Sequence, residues 1–370
     1  MQWEQVLKEW QACCCPAGDG VFTVHTGEGR KARLQRELYG DDVQSAWLET
    51  LREVPDCKVP LVLGVPSDTG GGIQRGANWG PLMVREAIRR RHPEVETKDM
   101  GDIRVIPHLL HDKYLNKATI ASCRKSLYGS SRSDLPVSPL SIAEHVVESF
   151  WTLYPKKRLF ALGGDHSVSY PLVHGYVKAK TKQCRKVGVL HFDAHTDLLK
   201  ERLGIDICFG SWAAHIIPEL ASPDCLLQVG IRSTGKPQSY WEETFGVKQI
   251  WAEDIVDASR ATVGEMVVEH FRQLEIDELY ISFDIDALDS HYAAATGTPE
   301  PDGLKPETAI GIIQACGKHL SVAAADLVEV APFVCSDPLR RTHEPDTTLS
   351  TASDIAAELI SALQPIKQLL

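Results

Sequence analysis

No stretch of this sequence approaches the roughly 18 consecutive apolar residues that a membrane-crossing helix needs, and no membrane partner is expected. The start, Met1-Gln2-Trp3-Glu4-Gln5, has neither the basic residues nor the apolar stretch of a secretory signal, so a cytoplasmic location is the expectation. Positive charge is in deficit. The 39 Lys and Arg against 50 Asp and Glu leave a formal charge of −11, and the sequence pI is 5.7. Such a chain lacks the basic face that nucleic acid or an anionic bilayer requires. Arg89, Arg90 and Arg91 form the densest basic patch, which reads as a solvated helix end. The 10 cysteines contain no CxxC pair and none of the dense spacing of a disulfide framework. Neighbouring side chains in Cys13-Cys14-Cys15 point in different directions, so reduced thiols are expected there rather than a metal site.

What is present is a globular composition, 43% hydrophobic and 24% charged over 370 residues, long enough for a substantial core. Residues 1–57 read as a helical N-terminal extension, with apolar stripes at Trp3–Trp10 and Trp47–Val54 that need a partner. From residue 58 to 370 short Val, Ile and Leu runs alternate with longer amphipathic stretches, the pattern of a parallel sheet covered by helices. Strands are expected at Pro60–Val65, Arg158–Leu162, Val187–Phe192, Leu226–Gly230, Leu279–Ile285 and Ala323–Val330. Helices are expected at Leu82–Arg91, Ile142–Tyr154, Val263–Leu274, Pro306–Leu320 and Ser353–Leu369. Lys, Ser, Asn and proline interrupt the rhythm near 108–140, which reads as a surface insertion.

Three polar motifs follow three of these strands, where open parallel sheets place their ligands. They are Gly163-Gly164-Asp165-His166-Ser167, His191-Phe192-Asp193-Ala194-His195-Thr196-Asp197, and Ser282-Phe283-Asp284-Ile285-Asp286-Ala287-Leu288-Asp289. Period-two alternation would aim Asp193, His195 and Asp197 one way, and Asp284 with Asp286 likewise. Four carboxylates at one sheet edge repel unless cations join them. Carboxylates with one or two imidazoles suit a manganese-type ion better than zinc.

These motifs resemble the signatures of the ureohydrolases, the arginase and agmatinase family. Gly64-x-Pro66-x-Asp68-x-Gly70, Arg75-x-x-x-x-Gly80-Pro81, Arg85-Glu86 and Thr296-Gly297-Thr298-Pro299-Glu300-Pro301 before Gly303-Leu304 resemble further family segments. The resemblance implies a three-layer α/β/α fold with a mainly parallel eight-stranded sheet and two Mn2+ per subunit, with Ni2+ as an alternative. His166 would serve one ion and His195 the other, with Asp193, Asp197, Asp284 and Asp286 completing and bridging the pair. Two ions so placed lower the pKa of a shared water towards neutrality. That nucleophile would attack a guanidinium carbon, with release of urea and an amine. Asp197 would steady the nucleophile or pass on its proton, and Glu307 would pair with the guanidinium fork. A homotrimer or homohexamer is implied, with the N-terminal stripes packed on a neighbouring subunit.

The sequence departs from the family where a proton-shuttling histidine stands in a His-Gly-Thr or His-Gly-Ser setting. The matching stretch is Cys208-Phe209-Gly210-Ser211-Trp212, and phenylalanine relays no protons. His191 and His215 are the nearest substitutes, although His215 lies about 240° around a helix from Phe209. Phe209 and Trp212 would make the substrate-binding neighbourhood apolar. No Ser/Asn-rich loop for an α-amino acid head group is present, which favours an agmatinase-like activity on a small guanidino or amidino substrate. Lys200 and Arg202 could receive a carboxylate tail. Formimidoylglutamase (releasing formamide), guanidine hydrolase, or a metal-binding protein of little activity are the alternatives. A single-zinc deacetylase relative would need a His-His pair, which the sequence lacks.

Overall fold

Short, mostly apolar runs such as Leu61–Val65 and Val187–Phe192 build the central strands. The computed structural model describes residues 2–23, 25–255, 260–334 and 344–364. Its strands are β1 (Cys14–Cys15), β2 (Leu61–Val65), β3 (Lys98–Ile103), β4 (Leu159–Gly163), β5 (Val187–Phe192), β6 (Leu226–Ile231), β7 (Lys248–Trp251), β8 (Glu278–Asp284) and β9 (Val322–Val328). They form one sheet in the order β1-β3-β2-β4-β9-β8-β5-β6-β7. The pairings from β3 across to β7 are parallel. Only β1 is antiparallel. The expected eight-stranded parallel sheet is therefore present, and the N-terminal segment adds a two-residue ninth strand to its edge.

Alternate side chains of the strands enter two separate cores, which gives the three layers. On one face Leu61, Val189 and Tyr280 pack with the helices Trp3–Cys13, Pro139–Leu153 and Ser169–Thr181. On the other Phe160, Leu190 and Phe283 pack with Gly80–Arg91, Arg260–Gln273, Pro306–His319 and Glu344–Ala362. The C-terminal helix thus starts and ends earlier than the expected Ser353–Leu369, and residues 365–369 of that expectation lie outside the described residues.

The N-terminal stripes find their partner within the chain, which corrects the expectation that a neighbouring subunit covers them. Trp10 is fully buried, donates its indole N–H to Ser149 Oγ at 2.8 Å, and meets Phe150 at a tilt and Tyr154 edge-on. Trp47 donates its indole N–H to the Met100 carbonyl of β3 at 2.8 Å. The physical reason is supply: the helix Pro139–Leu153 and the outer edge of β3 would be uncovered without residues 1–57. Tyr39 and the Cys15 thiol occupy two more β3 carbonyls, those of Asp99 and Asp102. At the opposite edge, Gln249 of β7 has its N–H bonded to Glu242 and its C=O to Gln238.

Strands β3 and β7 were not expected. The β3 sequence Lys-Asp-Met-Gly-Asp-Ile is polar, yet Asp99 and Asp102 are buried because Arg85 reaches both, at 2.8 and 2.6 Å. A guanidinium fork satisfying two carboxylates replaces apolar patterning as the glue of that strand. The 108–140 insertion contains the helix Lys117–Tyr128. It also touches the loop after β5: Asp206 accepts from Lys113 Nζ at 2.6 Å and Tyr114 OH at 2.5 Å, and Ile207 N donates to that hydroxyl.

Candidate metal centre

The polar motifs meet at the C-terminal ends of β4, β9, β8 and β5, four adjacent central strands. A shared local device turns each motif back over the sheet. Asp165 accepts from Ser167 N, Asp193 from His195 N and Asp284 from Asp286 N, each an aspartate bonding the amide two residues on. These turns, and not extended alternation, bring the second acid or imidazole of each motif round. Gly164 allows the turn after β4, since a Cβ there would collide with the Ser67 carbonyl. Asp197 has φ +51° and Glu329, just past β9, has φ +61°. Non-glycine residues hold that conformation only where the surroundings impose it, often at functional sites.

All six expected ligands converge. His166 Nδ1 lies 3.1 Å from Asp193 Oδ2, 3.2 Å from Asp197 Oδ2 and 3.1 Å from Asp284 Oδ2. His195 Nδ1 lies 3.3 Å from Asp193 Oδ1 and 3.2 Å from Asp286 Oδ2. Asp193 therefore gives one oxygen to each group, the position of a bridging ligand. His191 Nε2 stands 2.8 Å from Asp193 Oδ2. Thr298 Oγ1 donates to Asp286 at 2.9 Å, and Trp212 Nε1 donates to Asp197 at 2.8 Å.

The residues fit a pair of cations. Nδ1 of His166 is buried and makes no directional hydrogen bond, although three carboxylate oxygens surround it. An imidazole lone pair aimed among carboxylates is the donor set of a metal ion. The electrostatics agree. Burial, with Asp286 and Asp193 beside it, pushes Asp284 well above the usual carboxylate range. Against the effect of burial, Asp286 and Asp193 push His195 up to about 12. Ionised carboxylates at this density call for positive charge that the imidazoles alone supply only by holding protons.

The other expected site residues are distributed around this centre. Trp212 is fully buried behind Asp197, its ring 4.9 Å from those of His166 and His191. Phe209 lies beside the glycine loop after β2: its N–H donates to the Gly70 carbonyl, and a Cβ on Gly72 would sit 3.5 Å from its ring. The Arg202 guanidinium lies 5.0 Å over that ring. His215 Nε2 bonds the Lys200 carbonyl at 3.1 Å. Glu307 occupies the first turn of the helix Pro306–His319.

Glu329 was missed in the sequence. Its Oε1 accepts from the His166 amide at 2.8 Å, and its Oε2 would be 3.4 Å from a Cβ on Gly297. Burial pushes its pKa well above the usual range, with Asp284 and Asp165 adding to the effect. The sequence shows an acid directly after the apolar strand Ala323-Ala324-Ala325-Asp326-Leu327-Val328, but only the strand order puts it at the same sheet edge as the three motifs.

A model of the arginase family matches residues 60–361. The chain belongs to the arginase family. Among relatives of this arginase-family chain, the Gallus gallus protein named "Agmatinase, mitochondrial" is 32% identical over 292 residues, 73% of each chain. The Homo sapiens "Guanidino acid hydrolase, mitochondrial" is 33% identical over 275 residues, 73% of this chain and 70% of the relative. Among solved structures, a hypothetical agmatinase from Burkholderia thailandensis superposes with a TM-score of 0.61 at 25% identity, covering 83% of this chain and 86% of that one. Arginase from Bacillus subtilis shares the fold, with a TM-score of 0.62 at 22% identity over 85% of this chain and 100% of that one. Like other arginase-family members, the chain is a metal-dependent hydrolase acting on amidino C–N bonds. Among the described residues no helix is long and apolar enough to cross a membrane.

Proposed function

We propose that the chain hydrolyses a small linear guanidino compound, with agmatine as its leading substrate, to urea and an amine, using two Mn2+ held by His166, Asp193, His195, Asp197, Asp284 and Asp286. The observation that carries this is the sharing of Asp193 between two groups of ligand atoms, one around the orphaned His166 Nδ1. Four carboxylates and two imidazoles favour manganese, with nickel tolerated, over thiolate-seeking zinc. When bound, such a pair supplies a water of lowered pKa as nucleophile.

The chain's own residues do the rest. Asp197, fixed by Trp212, is placed to take the proton that the attacking water gives up. Glu329 offers Oε2 beside Gly297 to the guanidinium fork while its Oε1 stays on the His166 amide. The role first given to Glu307 thus passes to Glu329, a buried carboxylate next to a ligand. The balance is guanidinium plus water to urea plus protonated amine, so both protons of the water end on the leaving nitrogen.

Phe209 makes one wall apolar at the glycine loop, whereas Trp212, fully buried behind Asp197, has no surface to offer a substrate and acts on that carboxylate instead of the expected substrate contact. A second reading, an ω-guanidino acid, is favoured by Arg202 lying over Phe209, where a carboxylate tail could pair with it. A cytoplasmic homotrimer or homohexamer completes the proposal. Free thiols at nine cysteines among the described residues fit a reducing compartment. Assays of urea and ammonia release from agmatine, guanidinobutyrate, arginine and guanidine, and of formamide release from formimidoylglutamate, with Mn2+ or Ni2+ supplied, test it. Turnover of agmatine is expected. Full activity after metal removal, or no turnover of any of them, would sink the reading.

A further inference from the structure

Behind Asp193 a line of hydrogen bonds crosses three adjacent strands. Trp251 Nε1 on β7 bonds Gln249 Oε1 at 2.9 Å, and Gln249 Nε2 bonds Gln228 Oε1 on β6 at 2.8 Å. Gln228 Nε2 lies 2.9 Å from His191 Nδ1 on β5, and His191 Nε2 lies 2.8 Å from Asp193 Oδ2.

Chemistry fixes the direction of every link. An indole N–H only donates, so Gln249 presents its oxygen to Trp251 and its NH2 to Gln228. Gln228 accepts on its oxygen, and its Nε2 also reaches the main-chain carbonyl of Thr196 at 2.6 Å, an atom that only accepts. The orientation of both amides follows from these two anchors and needs no arbitrary choice between amide nitrogen and oxygen. A ring nitrogen that receives an N–H carries no hydrogen of its own. The His191 hydrogen is therefore on Nε2, pointing at Asp193.

We infer that His191 is a positioning residue and not an ion ligand: the relay from Trp251 holds its ring as the Nε2–H tautomer, and that N–H aims Oδ2 of Asp193, the carboxylate shared by both ion groups. The competing assignment is concrete, because ligand atoms of His191 also lie within reach of those of His166, Asp193 and Asp197. His191 and Gln228 are 0% exposed. With both ring nitrogens engaged and its ring fully buried, His191 does not stand in for the shuttle missing at Phe209. The inference rests on the metal-dependent reading of the site, and the tests separate the two.

The tautomer is read in the unmodified, chelator-stripped chain by 15N NMR of labelled histidines, with the His191 signal assigned by its loss in His191→Gln. A hydrogen on Nε2 alone is expected, and one on Nδ1 overturns the relay. In Gln228→Leu, which unpins the ring and keeps His191 in place, a mixture of tautomers is expected. A signal unchanged from the parent also overturns it. Mn2+ stoichiometry and affinity are then compared. His191→Leu, lacking a donor, is expected to hold two ions at least about 10-fold more weakly. His191→Gln, which keeps an N–H, is expected to recover most of that loss. Loss of one whole ion in both variants makes His191 a ligand, and unchanged affinity in both makes it a packing residue; either result overturns the inference. If the parent chain binds no ion pair, the metal-dependent reading fails, and the tautomer measurement still decides the relay.

Discussion

Trp212 donates its indole N–H to Oδ2 of Asp197 at 2.8 Å, the same oxygen that stands 3.2 Å from Nδ1 of His166. A fully buried aromatic side chain thereby aims a carboxylate whose own backbone is in the left-handed region. Trp212→Phe keeps a ring against His166 and His191 and removes only the donor. Partners of metal-binding carboxylates are worth 10–100-fold in affinity or activity, so kcat should fall at least about 10-fold. Steady-state kinetics at saturating Mn2+, paired with a thermal melt close to that of the parent, check this.

Glu329→Gln preserves shape and removes the carboxylate that, on the proposed reading, ionises against the guanidinium. Truncating one member of a buried charge pair costs about 2–5 kcal/mol, so kcat/KM should drop on the order of 100-fold or more with both ions still bound. Glu307→Gln should leave kcat/KM within a factor of about two. Equal losses in the two variants would return the guanidinium partner to the helix Pro306–His319.

Trp10→Ala opens a cavity between the helices Trp3–Cys13 and Pro139–Leu153 and removes the donor to the Ser149 hydroxyl, which keeps its bond to the Val146 carbonyl. Emptying a buried tryptophan site costs about 3–5 kcal/mol. Urea denaturation should show that loss of stability in the whole catalytic unit as one transition, since Trp10 shares its core with β2, β4 and β5. A separate early transition for residues 1–57 would show that the extension folds on its own.

Glu144 ties the insertion to two helices. Burial would raise its pKa, but the His111 imidazole 3.9 Å away and the hydrogen bond from His174 outweigh that and bring it down to about 2. His174 Nδ1 lies 2.7 Å from Oε1. A carboxyl depressed on folding contributes stability above its unfolded pKa, and the contribution is lost as pH falls towards the folded value. Glu144→Gln should lower stability by about 1 kcal/mol at pH 6. Melting curves of both proteins should converge between about pH 4.5 and 2; a gap that widens on acidification would contradict this.

The sequence carried the motifs well because each is local. Gly-Gly-Asp-His-Ser and its counterparts declare their turns through an aspartate bonding the amide two residues later. The parallel strands were legible where both faces are apolar, as in Val187–Phe192. Strand β3 was not, since its burial depends on Arg85, a residue on a helix that precedes it and whose reach no periodicity encodes. Glu329 was hidden for a related reason. Its importance comes from the β9 position between β4 and β8, a crossover that appears only when the strands are ordered in space. The partner of the N-terminal stripes was equally non-local: Trp10 and Ser149 are 139 residues apart.

The finished edges of the sheet limit how copies of this chain can associate. Tyr39, Trp47 and Cys15 occupy carbonyls along β3, and Gln238 and Glu242 close both main-chain groups of Gln249 on β7. An incoming strand would have to displace side-chain hydrogen bonds before forming its own, at either end. Sheet extension, a common route to fibrous aggregation, is therefore opposed at these backbone groups. A trimer or hexamer of this chain would be built from helices and loops meeting by shape and charge, and its subunits would separate without unravelling the sheet that holds the metal ligands.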